Sequence, residues 1–119
     1  MVRKTYQKIA EDVRRELQNN LQRYPLVRNP DSLKGGCQNA AVMVYQQSLA
    51  LGKVPRIFEV VMTIGTHLAV LSGNKIIDPT ITQYIKTTRR YVYSRKDYPL
   101  NPAILQTIDV TNSPMWAKV

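Results

Sequence analysis

The chain has one cysteine, Cys37. No disulfide can close within it, and neither a disulfide-stapled scaffold nor a cysteine-rich zinc site can be built; no metal or cofactor is expected. Long apolar runs are also missing. None approaches the roughly eighteen residues of a membrane span, and the amino terminus lacks the apolar core of a secretory signal. The expectation is a chain that does not insert into membranes and works in a reducing, cytosol-like place, or is carried there by something it does not encode. Acidic residues are scarce, eight against seventeen Lys and Arg, for a net charge of +9. That excess suits a polyanionic partner such as RNA, DNA, an anionic surface or an acidic protein, and it speaks of association rather than fold. Repeats and low-complexity segments are absent as well, so 119 residues at 44% hydrophobic predict a single globular domain over residues 1–119.

What is present divides into helical and extended halves. From Thr5 to Tyr24 the residues Tyr6, Ile9, Val13, Leu17 and Leu21 recur at helical spacing. Lys4, Lys8, Arg14 and Arg15 are expected on its solvent face. Pro25, Asn29 and Pro30 break that pattern, and Gly35-Gly36 lead into a second helix beginning at Cys37 and stopping at Leu51-Gly52. Beyond Pro55 the residues become β-branched and alternating: Arg56 to Ile64, His67 to Ser72, Lys75 to Ile77, Tyr91 to Arg95 and Ile104 to Val110 are expected strands. Helices first and an antiparallel sheet after make an α+β fold.

Gly73-Asn74 has the composition of a two-residue hairpin loop, which sets a register. Ser72 then pairs with Lys75, Leu71 with Ile76, Val70 with Ile77, and by extension Ala69 with Asp78 and His67 with Thr80. His67 and Asp78 share a face as diagonal neighbours roughly 7 Å apart at the backbone, within reach of a side-chain hydrogen bond. A carboxylate there orients the imidazole. Cys37, at a helix amino terminus, meets the positive end of the helix dipole and offers its own N–H to an oxyanion. Nucleophile, base and orienting acid are thus available in the chain order Cys37, His67, Asp78. Taken singly, a lone cysteine on an apolar stripe is usually packing and a lone histidine usually structural; the combination carries the reading.

The segments Gly35-Gly36-Cys37, Leu51 to Arg56, His67-Leu68-Ala69-Val70 and Ile77-Asp78-Pro79-Thr80 together resemble the papain-like and transglutaminase-like superfamily. The likeness spans roughly residues 35–80. It implies a papain-like core with N-terminal helices packed on an antiparallel sheet, and Cys37, His67 and Asp78 as catalytic residues; Asn29 and Gln38 are side-chain oxyanion candidates by position. Compact basic versions of the fold resemble the papain-fold toxin domains of bacterial polymorphic, contact-dependent toxins. That resemblance implies a domain of a secreted or cell-surface toxin that acts in the cytoplasm of a target cell and is neutralised by a cognate, acidic immunity protein. Leu68, Ala69 and Val70 stand where many transglutaminase-like members have a tryptophan.

The reaction stays open at this point. Thiol-dependent acyl transfer on a target-cell protein is one class, as a peptidase, deamidase or transglutaminase. The other is cleavage of RNA, most plausibly tRNA, with His67 as general acid or base. For that second class Lys86, Arg89, Arg90, Tyr91, Tyr93, Arg95 and Lys96 interleave cations with aromatics, as a surface that holds phosphates and stacks bases would. Alternation also allows Tyr91 and Tyr93 to be core. A non-catalytic binding module is the third reading.

Overall fold

In the computed structural model, which describes residues 4–86, 89–114 and 116, two helices pack on a five-stranded antiparallel sheet. Helix α1 spans Tyr6–Asn19 and α2 spans Cys37–Ala50. The strands are β1 (Pro55–Met62), β2 (Gly65–Ser72), β3 (Lys75–Ile77), β4 (Val92–Ser94) and β5 (Ile104–Asp109), ordered β4-β3-β2-β1-β5 across the sheet. The α+β expectation therefore holds at the level of architecture. No helix among the described residues is long and apolar enough to cross a membrane.

Helix α1 begins where Thr5 Oγ1 accepts from the Lys8 amide at 3.1 Å, a side-chain N-cap. It ends before the predicted Tyr24. Asn20 turns its side-chain amide back onto the Glu16 carbonyl (3.1 Å) and carboxylate (2.6 Å), and only a 3₁₀ turn over Leu21–Arg23 follows. Leu21, expected in the apolar stripe, is consequently exposed, whereas Ile9, Val13 and Leu17 are fully buried. Helix α2 ends as expected. The Gly52 amide bonds the Leu49 carbonyl at 2.9 Å and the Lys53 amide bonds that of Ser48 at 3.1 Å, which is the Schellman pairing.

The hairpin register follows the loop chemistry. Gly73 takes φ +60 and Ser72 faces Lys75, Leu71 faces Ile76 and Val70 faces Ile77. The ladder then stops. Asp78 gives its amide to the Tyr91 carbonyl (2.8 Å) and Pro79 has none to give, so the extrapolated partners Ala69 and Asp78, and His67 and Thr80, are not ladder pairs. The β1–β2 turn likewise falls at Thr63-Ile64 rather than after Ile64. Tyr6 on α1 meets Ser72 on β2 at 2.6 Å, and between helices and sheet lie Val44, Ile57, Val70, Ile77 and Ile81, all at most 2% exposed.

Candidate active site

The loop 51–54 between α2 and β1 is short, so α2 runs back along β1 and its first residue lies at the end of the sheet where β2 begins. That places Cys37 beside His67. Gly35, with φ +88, lets the loop before Cys37 pack against Leu26, because a Cβ there would run into the Leu26 carbonyl oxygen. No side chain caps α2, and its first-turn amides, that of Cys37 included, are left without an intrahelical acceptor. Cys37 is half-buried.

His67 and Asp78 are both 0% exposed, and His67 Nε2 lies 2.9 and 2.8 Å from Asp78 Oδ1 and Oδ2. The predicted diagonal contact exists, although the ladder that suggested it ends one residue short. Tyr98, unforeseen in the sequence, donates its hydroxyl to Asp78 Oδ2 at 2.5 Å, and Tyr84 stands edge-on to the imidazole with centroids 5.0 Å apart. With Nε2 committed to Asp78, Nδ1 is the nitrogen left for the thiol. It is buried and closes no hydrogen bond of full geometry with a described group. The Cys37 side chain is near enough to the ring to help raise its pKa.

The electrostatics of the cluster follow from burial and one carboxylate. Burial alone would pull the His67 pKa down; the charge and hydrogen bond of Asp78, with a contribution from Cys37, overcome it and raise it to about 10. His67 is accordingly an imidazolium at neutral pH. Burial first and Asp78 second push Tyr98 well above the usual phenol range, so it remains a neutral donor. Tyr84 is raised by burial and by the charges of Cys37 and Asp78.

Two residues that hold this cluster were misread or missed in the sequence. Arg14, expected on a solvent face, is 8% exposed. Its Nη1 donates to the Pro79 carbonyl and Thr82 Oγ1, both at 2.8 Å, and its Nη2 to the Asp31 carbonyl at 3.0 Å, while the guanidinium sits 4.9 Å from the Tyr91 ring centroid. One side chain thus ties α1 to the loop before Cys37 and to the turn after Asp78. Ala10, Arg14 and Leu17 follow the i, i+4, i+7 spacing of a buried face, and that was the legible signal. Gln83 accepts the Gly35 amide at 3.3 Å through Oε1, leaving Nε2 as a buried donor without a partner near the start of α2. No sequence pattern singled it out.

The oxyanion candidates fare differently. Asn29 is exposed and spends Oδ1 on the amides of Asp31 (2.8 Å) and Ser32 (3.1 Å), an Asx turn that shapes its own loop. That use engages only the amide oxygen, and a donor to an oxyanion would be Nδ2. Gln38 is half-buried next to Cys37, and its side chain forms no hydrogen bond with the described residues. In the basic segment Tyr91 (6% exposed) and Tyr93 (5%) are core residues, so the expected stacking surface is absent there. Lys86, Arg89, Arg90, Arg95 and Lys96 are exposed, and Arg90 stands over the Tyr93 ring at 4.9 Å. Compared with known proteins, the chain matches no protein-family model, no curated protein and no solved structure.

Proposed function

We propose that the chain is a papain-like catalytic domain of a bacterial toxin that performs thiol-dependent acyl transfer on a protein of the target cell. The observation that carries the reading is the fully buried His67, locked to Asp78 through Nε2, with Nδ1 unpartnered among the described residues and Cys37 near enough to act on the ring. In this reaction the Cys37 thiolate attacks a carbonyl carbon, and the oxyanion forms against the Cys37 N–H. His67 then gives its Nδ1 proton to the departing amine, which leaves a thioester and a neutral imidazole. Water or an acceptor amine next attacks the thioester, His67 takes its proton, and the thiolate is regenerated. Asp78 and Tyr98 hold the ring in place without reacting. An acidic immunity protein would neutralise such a domain by covering a chain of charge +9.

Cleavage of RNA, tRNA in particular, is the second reading, and the exposed cations Lys86, Arg89, Arg95 and Lys96 favour it. One experiment separates the two. The chain and its Cys37→Ser and His67→Ala variants are expressed in bacteria, and total RNA and the proteome are examined together. Growth arrest with a thiol-dependent mass change on one protein, abolished by Cys37→Ser while RNA stays intact, is expected. Discrete tRNA fragments made equally by Cys37→Ser would overturn acyl transfer, and harmless expression of the unaltered chain would leave the binding module.

A further inference from the structure

One groove is lined by none of Cys37, His67 and Asp78 and shares only Tyr98 with their cluster. It measures about 320 Å³ and is lined by strand and loop residues alone, with no contribution from either helix. The register explains its floor. Leu71 is flanked by Arg56 on β1 and Ile76 on β3, and Phe58 pairs with Asp109 on β5, so these side chains share one face of the sheet. The segment 95–101 overhangs that face and closes the groove with Arg95, Tyr98 and Asn101.

Charge along the rim is uneven. Arg56 is neutralised by Asp109, with Nε 2.8 Å from Oδ2. Arg95 is different: it is exposed, and no described carboxylate forms an ion pair with it. The neighbouring edge strand is bare. β5 pairs with β1 on one side only, its residues from Leu105 to Asp109 are exposed, and it contains none of the lysines or prolines that usually blunt a free edge. In a chain with seventeen Lys and Arg, an exposed strand with neither is a place the excess charge has avoided. Leu105, at 67% exposure, and Ile108, at 39%, are exposed apolar side chains on the same strand.

We infer that this groove is a docking site for an acidic segment of a partner protein, one apolar side chain resting on Phe58, Leu71 and Ile76 while a neighbouring carboxylate meets Arg95. The size suits one aromatic or branched side chain. The surplus of cations on the rest of the surface selects an acidic partner and speeds its approach, while the apolar anchor holds it. The inference stands on the groove and its rim, independently of the acyl-transfer reading.

The test uses the full chain and short synthetic peptides with a central Phe, Leu or Ser flanked by Asp and Glu, by Ser or by Lys. Binding is followed through methyl resonances of Leu71, Ile76 and Ile104, with Leu17 and Val44 as distant controls. Acid-flanked Phe or Leu peptides are expected to move the groove methyls and not the controls. Arg95→Glu should weaken them by about tenfold. Lys96→Glu makes the same change of charge one residue away on a side chain that does not line the groove, and should cost little. Equal weakening by both substitutions would reduce the effect to net charge and overturn the site. So would acid-flanked Ser peptides binding as well as Phe, groove methyls that respond to none of the peptides, or groove methyls that respond to tRNA instead.

Discussion

Two polar regions of this protein receive opposite treatment from the fold. Around Cys37 the chain buries a histidine, an aspartate, a tyrosine hydroxyl and an arginine, and gives nearly every one a partner. Between Lys86 and Lys96 it does the reverse, leaving the cations in water and turning the tyrosines inward. Desolvating a charge is costly and is tolerated where geometry returns the cost. The first region is a buried, interlocked polar cluster, as the proposed chemistry requires, whereas the second is a solvated basic surface over a core.

The largest effects should come from the cluster. Cys37→Ser is expected to lower acyl-transfer activity by roughly 10⁴-fold or more while leaving the unfolding midpoint nearly unchanged, as chemical denaturation on the same sample would show. If activity persisted, the contrast between regions would lose its meaning. Asp78→Ala should destabilise the fold by about 3–5 kcal/mol, because it strands a buried imidazolium. Adding His67→Gln to that variant should recover part of the loss, and a double-mutant cycle in urea measures it.

Next in size is Arg14→Met, expected to cost about 2–4 kcal/mol by orphaning the Pro79 and Asp31 carbonyls it now serves. Arg14→Lys should not restore stability, since one ammonium cannot span both loops. A pH-dependent effect follows from His67. Its folded pKa is raised from 6.5 to about 10, so the protonated form is favoured by folding. That contribution is fully present below pH 6.5 and is lost as the pH rises from 6.5 through 10. Thermal melts across this window should show a decline that His67→Gln abolishes.

The smallest effects belong to the basic segment. Lys86→Glu and Arg89→Glu should each shift stability by no more than about 0.5 kcal/mol. RNA affinity should weaken and lose close to one unit of salt slope per charge if that surface binds phosphates. Abolition of activity by either substitution would invert the comparison and place function on the surface.

The local elements of this fold were legible because each rests on local chemistry. Helical spacing marked Ile9, Val13 and Leu17; β-branched alternation marked the strands; Gly73 and Asn74 set a two-residue turn and with it the register that brings His67 near Asp78. The pairing of Cys37 with these two was an expectation from motif order, and the packing of α2 along β1 and β2 is what brings the thiol to the ring. Tyr98, Tyr84 and Gln83 had no such signature, and the helical spacing that puts Arg14 on the buried face does not name its partners. They arrive on loops and on a helix face whose surroundings are assembled from residues 17 to 68 positions away. A local pattern specifies backbone conformation and which face is apolar. Which polar groups meet across that distance, and so whether His67 is charged and Arg14 buried, was decided only when the sheet and helices closed on one another.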